Sequence, residues 1–136
     1  YLTGTFSSTW MGKSADIIGA APAIKRSLAI MFTGTVITLF SPVIVKIIGL
    51  AVFTFGFFGA HAVASGWVGE RARANKAQAS SLYLLFYYAG SSLVGAFGGF
   101  FWSGFGWIGV TALIASLILS AFILTHVSQR LAEREV

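Results

Sequence analysis

Apolar residues run along this chain with little to interrupt them. Between positions 28 and 68 the only formal charge is Lys46 and the only proline is Pro42, and 77–102 and 105–127 hold no Asp, Glu, Lys or Arg. A helix that crosses a bilayer needs about 20 mostly apolar residues to cover a hydrocarbon core about 30 Å thick. The runs therefore predict four full spans: 27–40 with an interfacial lead-in at 23–26, then 43–69, 80–101 and 106–126. The first two separate near Ser41 and Pro42, because proline lacks an amide donor and disfavours helix in the residue before it. At 1.5 Å per residue the second span covers about 40 Å and crosses with tilt. Loops are predicted at 12–26 and 70–79, and a tail at 127–136. The predicted fold class is all-α, a polytopic membrane helix bundle. A chain of 136 residues could not bury several such runs inside one water-soluble core.

Composition sharpens this picture. Hydrophobic residues make up 57% of the chain and charged residues 10%, against about 25% charged in soluble domains. Cysteine is absent, which removes disulfides, thiolate metal sites and thiol nucleophiles. A net charge of +5 would point to nucleic acid in a soluble chain. Here the basic residues cluster between spans, where membrane orientation accounts for them, and no nucleic-acid partner is expected. Lys13, Lys25 and Arg26 precede the first full span; Arg71, Arg73 and Lys76 lie between the second and third; Arg130 and Arg134 follow the fourth. With four spans these segments share one side, cytoplasmic by the positive-inside rule. Only Lys46 falls toward the other side, where its stem can snorkel to the interface. Trp67, Trp102 and Trp107 lie near span ends, as in an aromatic belt. The chain opens on Tyr1 without a signal-peptide pattern. Residues 1–11 read as the tail of a helix that begins upstream, so the chain is expected to be the C-terminal part of a longer polytopic protein.

One short polar segment carries a motif. In Gly12-Lys-Ser-Ala-Asp16-Ile-Ile-Gly19 an acid stands four residues after one glycine and three before another. Gly12 permits a turn or close backbone approach, and Gly19 can end a helix in a left-handed conformation. Asp16 can accept backbone amides or pair with a base. The segment resembles the Gly-x-x-x-Asp-x-x-Gly loop motif of the major facilitator superfamily, although Ile17, Ala20 and Ala21 stand where that motif has basic residues. Two further stretches are similar to the YnfM-like inner-membrane members of that superfamily, described as efflux transporters: Gly56-Phe-Phe-Gly59-Ala-His61 through Trp67, and Gln78 through Ser92 with Tyr83, Tyr87 and Tyr88.

The resemblance implies a twelve-helix fold of two six-helix halves. Residues 1–11 would end helix eight, and the four full spans would be helices nine to twelve. It also implies alternating access about a midplane site, with proton-coupled efflux of a small molecule by antiport. The partners are then the lipid bilayer, a small-molecule substrate, the proton and the N-terminal half of the same protein. The implied location is the bacterial inner membrane, with the C-terminus cytoplasmic. Gly12, Asp16 and Gly19 would be conformational.

His61 is the one ionisable group deep inside a span, with Ser65 one turn away on the same face. Intramembrane ionisable groups mark substrate or proton pathways, and a reference pKa of about 6.5 suits proton coupling. A neutral histidine bonded to a neighbouring helix is the alternative, and both stand open. Tyr83, Tyr87, Ser91, Gly95 and Gly99 recur every four residues, with Tyr88 and Ser92 in an adjacent row. Gly95 and Gly99 form a small-residue packing pattern, while the tyrosines serve either substrate contact or interhelical hydrogen bonds. Glu70, Arg71 and Arg73 are gate candidates through a salt bridge to another loop, or else a solvated loop. Thr33, Thr35 and Thr38 are expected to bond back to their own helix, Ala112, Ser116 and Ser120 to form a packing row, and His126 to sit at a solvated interface.

Signatures of enzymes are missing: no metal-spaced His, Asp and Glu cluster, no Gly-x-Ser-x-Gly and no Walker lysine. No enzyme activity, cofactor or metal is expected. A small four-span scaffold or assembly protein is the rival from another class, and the loop motif argues against it.

Overall fold

The structure, a computed structural model, describes residues 2–72 and 74–134. Among these residues it is all helical, in the order α1 (Leu2–Ile18), α2 (Ala20–Ile37), α3 (Val43–Arg71) and a final element, Lys76–Arg134. That element breaks at Gly106, whose φ of 62° and ψ of −150° are not helical. It is two helices, α4 over 76–105 and α5 over 107–134. Tyr83 and Tyr87 of α4 line the same cavity as Thr125 and Ser128 of α5, so the chain doubles back at that glycine.

Several expected boundaries move. The loop expected at 12–26 is helical apart from Gly19. Its residues contain no internal breaker before that glycine, which takes φ 89° and precedes the first turn of α2. The Gly19 amide still bonds the Ala15 carbonyl at 2.8 Å. Pro22 falls in the first turn of α2, where an amide would have no helical partner in any case. Gly12 makes no turn: it lies inside α1, with nothing within 4 Å of the place its side chain would occupy. Where a loop was expected at 70–79, α3 continues to Arg71 and the last element begins at Lys76, with the Asn75 amide on the Ala72 carbonyl at 2.9 Å. Residues 127–134, expected as tail, extend α5. The break at Pro42 is where proline chemistry puts it, with Pro42 in extended conformation just before α3.

Packing is organised by small residues. In a bilayer, lipid tails are as apolar as leucine, so helices associate by close backbone approach and interhelical hydrogen bonds. α2 and α3 pack antiparallel through glycine. A side-chain carbon at Gly34 would meet the Phe53 backbone nitrogen and, at 2.7 Å, the Gly49 carbonyl. At Gly59 it would lie 2.6 Å from Met11 Cγ and 3.0 Å from the hydroxyls of Ser7 and Ser27, where α1, α2 and α3 meet. Ser7, fully buried, donates to the Phe55 carbonyl. The core of Met11, Ala23, Ile24, Leu28, Met31 and Val63 is closed from the α5 side by Ile118. Trp107 ties the far end of α5 to α2, donating to the Thr38 carbonyl at 3.1 Å and the Thr38 hydroxyl at 3.2 Å. Thr33, Thr35 and Thr38 each bond back within the end of α2. Ala112, Ser116 and Ser120 are exposed, and α5 buries Gly109, Thr111 and Ile118 instead.

α4 touches the bundle along one row. Beyond Ala79 and Ser80 in its first turns, its half-buried positions are Tyr83, Tyr87, Gly90, Val94, Gly98 and Phe101. Gly95 and Gly99 are exposed with nothing within 4 Å, so the packing expected of them is not made among the described residues. The reason is helical geometry: at 3.6 residues per turn, each step of four drifts by about 40°. A row that starts at Tyr83 and Tyr87 has rotated off the contact face by Gly95.

Candidate functional site

His61 reaches this position because α3 is held against α2 by its glycine face, which turns the row of Phe57, His61, Ala64 and Val68 toward α4 and α5. The Tyr83 hydroxyl of α4 lies 2.9 Å from His61 Nδ1 and 3.4 Å from the His61 backbone carbonyl. The Tyr87 ring sits 4.5 Å from the imidazole, centroid to centroid, and Phe57 stacks almost parallel to it at 6.1 Å and 6°. The imidazole is therefore boxed by three aromatic rings, two of them from the neighbouring helix.

This box opens on a cavity of about 410 Å³ among α2, α3, α4 and α5. α2 contributes Ile24, Leu28 and Met31; α5 contributes Ala121, Leu124, Thr125 and Ser128. None of its lining residues is Asp, Glu, Lys or Arg. The walls are apolar and aromatic, and the polar groups are His61, Tyr83, Tyr87, Thr125 and Ser128. Such a lining suits a small molecule with apolar surface and a few hydrogen-bonding groups.

Of the residues expected at a substrate or proton pathway, the structure brings His61, Tyr83 and Tyr87 together. Ser65 does not line this cavity. Tyr88 is 64% exposed and stacks edge-on against Tyr87 from outside.

Thr125, Ser128 and Trp67 were not singled out as wall residues by the sequence. Trp67 had read as interfacial, yet it borders this cavity and two others. One, of about 280 Å³, holds Trp67, Arg71, Ser128 and Leu131; the other, of about 400 Å³, lies among α1, α2 and α3. Phe57 did carry a signal, since it stands one turn before His61 on the same helix face.

The loop motif and one gate candidate, Glu70, meet in that third space. Gly12, Asp16 and Gly19 line it together with Glu70 and Gly66. Glu70 thus shares a cavity with Asp16. Arg71 places its guanidinium 5.6 Å from the Trp67 ring centroid, and Arg73 lies outside the described residues. Among the described residues no three His, Cys, Asp or Glu side chains converge as a metal site would require.

The chain has close relatives. Over 120 residues, 88% of this chain, it is 52% identical to a Bacillus subtilis protein named as an uncharacterized MFS-type transporter, YybF. Over 132 residues, 96% of this chain, it is 46% identical to the inner membrane transport protein YnfM of Escherichia coli. The chain belongs to the major facilitator superfamily.

An uncharacterized transporter of Buchnera aphidicola is a third relative, 40% identical over 92% of this chain. The chain spans about 30% of the length of these relatives. No family model matches it, and no solved structure does. Membership agrees with the helices themselves: α3 and the α4–α5 element are long and apolar enough to cross a membrane. The chain is thus part of a multi-pass membrane protein of a transport family.

Proposed function

We propose that the chain forms the C-terminal helices of a secondary transporter in the bacterial inner membrane, exporting a small molecule in exchange for protons. α1 is then the end of helix eight, and α2 to α5 are helices nine to twelve. The C-terminal end of α5 is cytoplasmic, on the side where Lys25, Arg71 and Arg130 gather, and Lys46 lies at the opposite end beside Trp107, 5.9 Å from its ring centroid.

The observation that supports this reading best is the pairing of His61 with Tyr83 beside a cavity free of formal charge. When the imidazole is neutral, the Tyr83 hydroxyl donates to Nδ1 and the ring carries its proton on Nε2. When the imidazole gains a proton, Nδ1–H donates to the Tyr83 oxygen, and the phenol hydrogen turns to the His61 carbonyl, which it already approaches. Both protonation states keep their hydrogen bonds, so proton uptake does not leave a polar group stranded in a low-dielectric site. The charged state places one positive charge in a cavity whose own lining supplies no anion. That charge alters the cavity's affinity for a bound molecule, and this is the coupling an exchanger needs.

pH-jump flux in proteoliposomes, with the full-length protein and a panel of candidate substrates, tests the reading. His61→Ala is expected to abolish proton-dependent flux while the protein remains folded and monodisperse. Unchanged flux would remove His61 from the pathway.

A further inference from the structure

α2 and α5 meet again at the other end of their antiparallel seam from Trp107, where Lys25, His126 and Gln129 stand next in sequence to the cavity-lining Ile24, Thr125 and Ser128. The Lys25 ammonium lies 3.2 Å from His126 Nδ1 and donates to the Gln129 side-chain carbonyl at 2.7 Å. Arg130 Nε donates to His126 Nε2 at 3.0 Å. A neutral imidazole offers an acceptor lone pair on one ring nitrogen only, and a protonated one offers none. His126 therefore satisfies at most one of the two cations that flank it. Gln129 commits its amide nitrogen to Glu133 at 3.0 Å, and among the described residues no carboxylate pairs with Lys25 or Arg130. Donors outnumber acceptors here, and two positive charges face each other across one ring.

An apolar strip leads away from this cluster. On α2, Phe32 and Val36 follow Lys25 at helical spacing on its own face, each 40% exposed. On α5, Phe122 lies one turn before His126, and its ring centroid is 6.0 Å from the Lys25 ammonium. Leu119 and Ile123 beside it are 56% and 61% exposed. The cavity is served by other positions of the same helices, Ile24, Leu28 and Met31 on α2 and Ala121, Leu124 and Thr125 on α5. The seam therefore presents a cationic head and an apolar track that are exposed among the described residues and distinct from the cavity-lining positions.

We propose that this seam seats an anionic phospholipid, with its phosphate between Lys25 and Arg130 and an acyl chain along Phe32, Val36, Leu119 and Phe122. The phosphate oxygens supply the acceptors that the cluster lacks, through charge-assisted hydrogen bonds. Basic pockets between spanning helices attract anionic headgroups in this way. The apolar track selects a lipid over a soluble phosphate, and the bound lipid clamps the ends of α2 and α5. The proposal does not depend on what the His61 cavity transports.

The test is lipid retention by the full-length protein in native mass spectrometry, comparing phosphatidylglycerol with phosphatidylcholine of identical chains. Wild type retains phosphatidylglycerol preferentially. The double variant K25Q/R130Q loses roughly 30-fold in that retention, about a factor of five for each basic residue, and its phosphatidylcholine retention does not change. Should the double variant not fold, Arg130→Gln alone loses about five-fold. Equal retention of the two lipids by wild type, or undiminished phosphatidylglycerol in the variants, overturns the proposal. Displacement of the lipid by millimolar inorganic phosphate also overturns it, since the occupant would then be a soluble anion.

Discussion

Gly56 of α3 lies so close to α2 that a side-chain carbon on it would sit 2.6 Å from both the Met31 amide nitrogen and the Ser27 carbonyl oxygen. Those are backbone atoms of a packed helix, so they cannot swing aside as a flexible side chain would. Gly56→Ala is expected to cost about 1–3 kcal/mol, as overpacking does. Gly12→Ala, with open space around it, is expected to stabilise α1 by about 0.5–1 kcal/mol through helix propensity. Unfolding of the two variants in mixed micelles measures the contrast. Equal stability would mean that the α2–α3 contact is looser than described.

Trp107 and Thr38 hold the opposite end of the α2–α5 seam by one indole donor and two acceptors. Trp107→Phe removes the donor and keeps most of the ring, for an expected loss of about 0.5–1.5 kcal/mol. Thr38→Val is expected to cost less, because the backbone carbonyl still accepts. A double-mutant cycle should show that the two losses are not additive.

Tyr83 and Tyr88 offer a paired comparison, since both carry hydroxyls and only the first meets His61. Tyr83→Phe deletes the oxygen that exchanges donor and acceptor roles with Nδ1, and proton-dependent flux is expected to fall by roughly 5- to 10-fold, the worth of one such bond. Tyr88→Phe is expected to transport at the wild-type rate. Flux assays at matched expression decide between this and an exchange of the two effects.

Gly106 occupies a backbone region that side chains rarely adopt. Gly106→Ala is expected to cost about 1–3 kcal/mol and to alter the packing of Trp102 on Trp107, whose ring centroids are 6.2 Å apart. Tryptophan emission would report the change directly, and an unaltered spectrum with unaltered stability would speak against the described turn.

How much of this was legible in the sequence differs by element. The spans were readable because uncharged length is a direct requirement of the bilayer, and Pro42 marked a break that its chemistry compels. His61 stood out because a lone ionisable group in an apolar run has few reasons to be there, and Tyr83 and Tyr87 followed from helical spacing. The packing glycines were less legible. Gly95 and Gly99 matched a local pattern, but which glycines touch a neighbour depends on helix rotation and partner position, and spacing alone does not contain either. The glycines that do pack in α2 and α3 are Gly34, Gly49, Gly56 and Gly59, and their contacts follow from how the two helices pair, which neither helix carries by itself. The helical continuation through Gly12 to Ile18 was hidden because charge and glycine together imitate a loop. The pairing of Lys25 with His126, residues 101 positions apart, could not be read before α2 and α5 were known to be antiparallel.

Gly106 also bears on how the cavity changes shape. A turn made by one residue has no slack, so a tilt of α4 is not absorbed in a linker and is delivered to α5. The wall that carries Tyr83 and Tyr87 and the wall that carries Thr125 and Ser128 then act as the two arms of one lever. Whatever tilts α4 also resizes the chamber from its opposite side.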